Sequence, residues 1–406
     1  MTQASEPVPA QASVSDRSVR RMILILAVSG FASTSAGRTV EPLIGVIARD
    51  LESDPRTVAL LATAFALPYA FIQPILGPVA DALGKERIFP VCLGTLAVAM
   101  ALCAAAPTIG ILFGLRVLAG MAAGGVIPMS LGMIGDRVAM ASRQVAISRF
   151  LAAVILGQLA GSSVSGLLAT WIGWRGVFGL AAALTAAAAA GAVFGFGRVE
   201  RGPAHFSFAE AIARYRRVLT NRRARFLYAF VFVDGMAFFA LLPYVAPNLE
   251  ARGDGGPFEA GLVLAGFAVG GLVYSLLVAW LLRVLGLGRM FVTGGIVAGL
   301  SFVGLAFSHG WIADAALMVA LGIAFYMIHN SYQTQVTEVV PDARASAIAF
   351  HAFSFFIGQA LGVALFGFGI GAMGWTASLI VAALAAVVLG AVSAFVLVWG
   401  PQPRPR

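Results

Sequence analysis

The sequence contains one long apolar run after another, and this pattern limits the fold more than any other feature. A bilayer's hydrocarbon core is about 30 Å thick, so each spanning helix needs about 20 mostly apolar residues. The 406 residues supply twelve such runs, from 23–47 near one terminus to 376–399 near the other. Strands of a membrane barrel would instead alternate over about 10 residues. The sequence therefore predicts an all-α membrane protein with twelve transmembrane helices.

Composition and charge agree with a membrane location. The chain is 60% apolar and 11% charged, whereas soluble domains are about 45–50% apolar and about 25% charged. Most of the 27 basic residues lie in the termini and the even-numbered loops, and Arg198 to Arg225 holds eight arginines. This bias is typical of loops that stay in the cytoplasm. It predicts a multi-pass protein of the bacterial inner (cytoplasmic) membrane with both termini cytoplasmic, and it explains the net charge without nucleic acid.

The chain repeats itself with a nearly constant offset. LGQLAG at 156–161 recurs as IGQALG at 357–362, and Gly173 and Trp174 recur as Gly374 and Trp375, all at an offset of 201. Six helices per repeat give both halves the same orientation in the membrane. We predict two six-helix pseudo-symmetric bundles around a central cavity. The predicted division is a disordered cytoplasmic N-terminus at 1–20, bundles at 21–197 and 226–400, a cytoplasmic linker with an amphipathic helix at 198–225, and a cytoplasmic tail at 401–406.

Four ionisable residues stand out inside the predicted spans: Arg38, Glu41, Arg116 and Asp234. A charge at the bilayer centre costs about 2.5–3.5 kcal/mol, so such residues are candidates for function. Arg38 and Glu41 lie three residues apart and share a helix face. We predict substrate contacts for all four, with Glu41 and Asp234 as proton-coupling residues and Arg116 paired with a carboxylate or the substrate. The alternatives are a self-neutralising Arg38–Glu41 pair and a helix-end position for Asp234.

A polar stripe marks the tenth span. Tyr326, His329, Asn330 and Gln333 follow the helical spacing i, i+3, i+4 and i+7. Further polar residues in other spans are Tyr69, Gln73, Gln158 and His351. We predict that these eight residues surround a polar substrate, although hydrogen bonding between helices would also explain them. The two histidines lack companions at metal-ligand spacing, and no hydrolase or nucleotide-binding motif occurs, so we expect no metal, cofactor or enzyme activity.

The loop after the second span carries a recognisable pattern. GPVADALGKER at 77–87 resembles the loop signature of the major facilitator superfamily, with matches at Gly77, Asp81, Gly84, Lys85 and Arg87. The resemblance implies that these residues form a conformational switch. Arg38, Glu41 and Pro42 are similar to the 12-helix drug:proton antiporter and arabinose-efflux branches, although Gly161-Ser162 replaces the Gly-Pro that antiporters commonly carry.

The resemblance implies a secondary transporter that works by alternating access. We predict proton-coupled efflux of a small organic molecule, with protons and membrane lipids as the other partners and a monomer as the working unit. One alternative is uptake or exchange of an organic anion or carboxylate, because Arg38 and Arg116 outnumber Glu41. A second is a non-transporting membrane sensor or a lipid-moving protein, because a fold does not fix a function.

Overall fold

The computed structural model describes residues 16–138, 140–196, 208–339 and 344–400, and across those ranges it is helical without a strand. The predicted tail, residues 1–15 of the predicted disordered terminus and residues 198–207 of the predicted linker lie outside the description. The helices are α1 Asp16–Arg38, α2 Ile44–Asp50, α3 Pro55–Leu83, α4 Lys85–Ala104, α5 Ile109–Ala123, α6 Val126–Arg137, α7 Met140–Leu159, α8 Ser165–Gly195, α9 Phe208–Thr220, α10 Arg222–Phe239, α11 Val245–Arg252, α12 Pro257–Phe307, α13 Trp311–Val339 and α14 Arg344–Ala394.

Nine helical segments within the described ranges are long and apolar enough to cross a membrane. Three of them contain a glycine with non-helical backbone: Gly173 in α8 (φ 66°), Gly286 in α12 (φ 66°) and Gly374 in α14 (φ 86°). Glycine adopts positive φ without the steric cost that other residues meet. α12 and α14 contain 51 residues each, and the parts on the two sides of the break together make about 76 Å of helix. This length is enough for two passes. These breaks support the prediction of twelve spans.

The internal repeat of the sequence recurs in the backbone. α1 ends at Arg38 and is followed by a 3-10 turn at Glu41–Leu43, while α10 ends at Phe239 and is followed by one at Leu242–Tyr244. Each turn contains a proline, Pro42 or Pro243, which removes a backbone donor and clashes with the carbonyl four residues earlier. The candidate spans Ser18–Asp50 and Arg222–Arg252, which contain the predicted spans 23–47 and 226–248, are thus each interrupted by a 3-10 turn.

Glycines bring the helices together at matching places. A Cβ added at Gly157 or Gly358 would lie 2.3 or 1.9 Å from the carbonyl oxygen of Phe31 or Phe232. Gly120 and Gly322 approach the carbonyls of Phe65 and Phe267 in the same way, and Gly161 and Gly362 those of Ser35 and Met236. Small residues allow such close helix contacts in membranes. The scaffold of α1–α8, which we call the first half, therefore resembles that of α10–α14, the second half.

The two halves contact each other at one end of the molecule. At the end that we call the far end, Arg49 Nη1 lies 2.5 Å from Glu250 Oε2. Deeper in the bundle, Thr63 Oγ1 donates to the Ala360 carbonyl at 2.8 Å. At the opposite, terminal end, Gly288 packs against Trp399 near the carboxyl terminus.

Candidate functional site

A cavity of about 800 Å³ lies between the two halves. Eight of the predicted substrate-binding residues line it: Arg38, Glu41, Tyr69, Gln158, Tyr326, His329, Asn330 and Gln333. The cavity extends to Leu282 and Leu287, which flank the Gly286 break at the terminal end. Ligand pockets of drug-sized molecules measure about 300–1,000 Å³. The volume therefore fits a small organic molecule.

Arg38 and Glu41 form an ion pair on the wall of this cavity. Arg38 Nη1 lies 2.6 Å from Glu41 Oε1, and the guanidinium carbon of Arg38 is 4.5 Å from the ring centre of Phe239 in the second half. Glu41 is 3% exposed, and its Oε2 has no hydrogen-bond partner among the described residues. The pair is the self-neutralising arrangement that was the alternative to substrate contacts, and both of its residues line the cavity. Because Arg38 also stacks on Phe239, it connects the two halves.

Arg116 has a different environment from the predicted one. Its side chain is fully buried and does not line the cavity. Its Nη1 and Nη2 donate to the carbonyl oxygens of Ala36 and Gly37 at 3.0 Å each. These carbonyls belong to the last turn of α1, where helical partners are missing, and a positive charge is favourable at a helix carboxyl end. The predicted partner of Arg116 is thus wrong, because the proline-terminated helix supplies acceptors that the sequence pattern did not reveal.

Asp234 lies just behind the cavity wall and is paired with His329. Its side chain is fully buried in α10, and its Oδ2 lies 2.7 Å from His329 Nδ1 in α13. Asp234 Oδ1 has no partner within the described ranges. The His329 ring stacks on Phe325 with 4.8 Å between ring centres, and its Nε2 lies 3.3 Å from Gln333 Nε2. His329 and Gln333 line the cavity, whereas Asp234 does not.

Two more predicted residues lie behind the wall. His351 is buried in α14, with its ring centre 5.3 Å from that of His329. Gln73 is buried and hydrogen-bonded to Tyr69. By contrast, all four members of the predicted stripe on α13 reach the cavity. The helical spacing was thus a better guide to the cavity than the individual polar residues.

The cavity has an aromatic lining that was not predicted from the sequence. The rings that line the cavity besides the predicted tyrosines are Phe65, Phe239, Tyr274, Phe325, Phe355 and Phe356. Tyr69 and Phe356 come from opposite halves and approach to 4.4 Å between ring centres. The 29 phenylalanines of the chain are a visible signal, but apolar residues occur on every face of a membrane helix. The cavity is therefore more aromatic than the polar stripe alone indicates.

The predicted switch loop lies at the terminal end. Gly84 separates α3 from α4 with φ 95°. Lys85 Nζ lies 2.7 Å from Asp136 Oδ2, and Arg137 Nη2 lies 2.6 Å from Glu86 Oε1. Arg87 is exposed, Gly77 lies within α3, and the side chain of Asp81 lies outside the described part. The loop thus connects α4 to the end of α6 through two ion pairs.

Curated relatives match parts or most of the chain. The chain is 29% identical over 137 residues to the probable efflux pump mfs2 of Aspergillus flavus, and this match covers 34% of the chain and 32% of that relative. It is 24% identical over 341 residues to the multi-drug resistance efflux pump PmrA homolog of Lactococcus lactis, which covers 81% of the chain and 83% of that relative. The chain therefore spans only about a third of the first relative and most of the second.

A solved structure has the same fold. The crystal structure of the nucleoside transporter NupG superposes with a TM-score of 0.75 at 17% identity, covering 93% of this chain and 100% of that one. Repeated helices around a cavity of this kind define a multi-pass membrane transporter. The family model of the Major Facilitator Superfamily matches residues 22–341 and 226–406, and the chain belongs to that superfamily. The predicted all-α membrane fold and family are confirmed.

Proposed function

We propose that the chain exports a small organic molecule across the bacterial inner membrane in exchange for protons. The observation that carries the proposal is Asp234, a fully buried carboxylate directly behind the cavity wall with one oxygen lacking a described partner. An ionisable group at such a depth is costly and is a candidate for function. Glu41 is a second carboxylate at the same cavity. Two acids beside one cavity suit coupling of proton binding to substrate binding.

The lining favours an aromatic molecule that is neutral or cationic. The cation of the cavity wall, Arg38, already pairs with Glu41, and Arg116 donates to backbone carbonyls. An organic anion would have to displace one of these partners, so we rank anion uptake below export. The efflux pumps among the relatives support the same direction.

We further propose that the terminal end faces the cytoplasm. The basic residues of the switch loop and of the described part of the linker, in α9 and at the start of α10, lie at this end, and cytoplasmic loops carry an excess of lysine and arginine. The cavity then extends toward the cytoplasm, where Leu282 and Leu287 line it, and alternating access would require the halves to separate at the far end. We propose that one chain in contact with membrane lipids suffices for this cycle.

Transport in reconstituted vesicles tests the proposal. Ethidium, an aromatic cation, is offered to vesicles that contain DNA, and its entry is followed by fluorescence with the membrane potential clamped by potassium and valinomycin. We expect a pH gradient, acid inside, to accelerate ethidium entry at least tenfold, and Asp234→Asn to remove the acceleration. Equal rates with and without the gradient would contradict proton coupling. Protein-dependent entry of labelled benzenesulfonate, an anion that stays charged across this pH range, in place of ethidium would establish the anion alternative.

A further inference from the structure

The two carboxylates of the cavity differ in how protons reach them. Glu41 lines the cavity itself. Asp234 is fully buried, and His329 is the side chain recorded at hydrogen-bond distance from it within the described ranges. His329 and its neighbour Gln333 both line the cavity. A proton that moves from the cavity to Asp234 therefore meets this imidazole first.

The His329 ring contacts Asp234 with one nitrogen and Gln333 with the other. Nδ1 lies 2.7 Å from Asp234 Oδ2, and Nε2 lies 3.3 Å from Gln333 Nε2. A neutral imidazole has one donor nitrogen and one acceptor nitrogen. When Asp234 is ionised, Nδ1–H donates to the carboxylate and Nε2 must accept. The Gln333 amide N–H then donates to Nε2, and the Gln333 carbonyl oxygen is available to the cavity.

Arrival of a proton reverses these roles. Nε2 takes a proton from water in the cavity, and the Nδ1 proton moves to Asp234 Oδ2. One proton is consumed in total: an O–H bond of a hydronium ion in the cavity breaks as an N–H bond forms at Nε2, and an N–H bond breaks at Nδ1 as an O–H bond forms on Asp234. The imidazole is neutral again but now donates from Nε2. Because two donors repel, the Gln333 amide has to rotate so that its oxygen accepts from Nε2–H and its NH2 group turns to the cavity.

We propose that His329 relays protons between the cavity and Asp234, and that the Gln333 amide rotates with each relay, so that the cavity binds hydrogen-bond donors only while Asp234 is ionised. This inference rests on the proposed function and adds a substrate class, aromatic molecules with an amino or protonated amine group. Substrate and proton then exclude each other through one amide, without direct contact between the substrate and the carboxylate.

Other titratable groups face this pair from the surrounding helices. Tyr332 of α13 is within electrostatic reach of Asp234, and its hydroxyl lies 2.6 Å from Ser393 Oγ of α14. His351 of α14 lies beside His329 but has no recorded contact with Asp234. Across the cavity, Arg38 and Glu41 neutralise each other. His351 is thus a matched control: a second buried histidine in the same cluster that lacks the carboxylate contact.

Binding of two cations at a series of pH values tests the relay. Ethidium carries amino N–H donors, whereas tetraphenylphosphonium has the same charge and no donor. Dissociation constants are measured on the purified full chain in lipid nanodiscs between about pH 5.5 and 8.5. For wild type we expect ethidium to bind roughly tenfold more weakly at the acidic end, which corresponds to the loss of about one good hydrogen bond, and tetraphenylphosphonium to change much less.

The variants separate the relay from general effects of charge. Gln333→Leu, His329→Asn and Asp234→Asn should each make ethidium binding independent of pH, whereas His351→Asn should keep the wild-type profile. His329→Asn retains an amide donor toward Asp234, so its loss of pH dependence reports the missing relay. Size-exclusion profiles and unchanged tetraphenylphosphonium binding identify variants that fold.

The outcomes distinguish the inference from the proposed function. A tenfold pH effect that persists in Gln333→Leu, or one that is lost in His351→Asn and kept in His329→Asn, would overturn the relay. Ethidium binding to wild type that is absent or insensitive to pH would overturn it as well. If wild-type vesicles still exchange ethidium for protons in those cases, the proposed function stands alone. If binding follows the relay but no proton-driven flux occurs, the proposed function fails alone.

Discussion

The first half places an ion pair on the cavity wall, whereas the second half places an acid behind a histidine, although the two halves share a scaffold. Gly157, Gly161 and Gly120 match Gly358, Gly362 and Gly322, and Pro42 matches Pro243. At the charged positions the match is lost. Arg38 and Glu41 of the first half correspond to Phe239 and Leu242 of the second. Conversely, Asp234, His329 and His351 of the second half correspond to Ser33, Ile127 and Phe150 of the first. Repeated residues therefore build the scaffold, and unrepeated residues hold the candidate chemistry.

The two halves differ most at their carboxylates, Glu41 and Asp234, and we expect substitutions there to have the largest effect on transport. Asp234→Asn should lower gradient-driven ethidium transport at least tenfold, to the rate without a gradient, while leaving exchange of ethidium against ethidium intact, because the proton site is lost and the cavity remains. Glu41→Gln should mainly raise the ethidium concentration needed for half-maximal transport, since it leaves Arg38 without its partner. Transport rates in the two assays check both expectations.

The exposed acid Glu52 provides a control for the carboxylate variants, because Glu52→Gln removes a similar charge far from the cavity. We expect that variant to transport like wild type. Gradient-driven transport retained in Asp234→Asn and lost in Glu41→Gln would reverse the assignment of roles to the two halves.

Arg116 is a cation that the second half lacks, and its substitution tests whether it stabilises the fold or binds the substrate. Arg116→Met removes two charge-assisted hydrogen bonds to the end of α1, and we expect a loss of about 3 kcal/mol in the free energy of unfolding. At the offset of 202 that relates Gly120 to Gly322, the equivalent residue of the second half is the buried Met318. Met318→Leu should cost less than about 1.5 kcal/mol. Thermal unfolding in detergent measures both. A stable Arg116→Met protein with impaired binding would restore a substrate role.

The packing glycines should respond alike in both halves. Gly157→Ala and Gly358→Ala place a Cβ 2.3 and 1.9 Å from a backbone carbonyl oxygen, so we expect each to destabilise the protein by about 1–3 kcal/mol. Gly114→Ala is the control, because nothing lies within 4 Å of its added Cβ. Melting temperatures that fall for one glycine of the pair and not for its counterpart would show that the halves are packed differently.

The smallest effect is expected at the far end, where the halves touch. The Arg49 side chain is 64% exposed and that of Glu250 19% exposed, and exposed ion pairs contribute about 0.2–1 kcal/mol. A double-mutant cycle with Arg49→Ala and Glu250→Ala should give a coupling energy in that range that decreases in high salt. A coupling energy well above this range, measured by thermal unfolding, would show that this ion pair contributes strongly to holding the two halves together.

The sequence predicted those features that depend on local spacing. Gly173 and Gly374, which the repeat relates at an offset of 201, are the positions of the breaks in α8 and α14, and the i, i+3, i+4, i+7 spacing placed the α13 stripe on the cavity. It could not predict the partner of Asp234, because His329 lies 95 residues away and only the packing of α10 on α13 brings them together. The role of Arg116 was missed for the same reason, since its acceptors arise only after Pro42 ends α1. The proline itself was visible, and it could have predicted that end.

The contact between Arg49 and Glu250 also concerns the history of the chain. The two residues are 201 positions apart, which is the repeat offset. Arg49 and Glu250 therefore occupy equivalent positions in the first and second halves. In a symmetric pair of identical chains, a residue on the two-fold axis meets its own copy. Two arginines or two glutamates would repel there. This ion pair therefore requires that the halves had already diverged, and the far-end contact is younger than the duplication that produced the repeat.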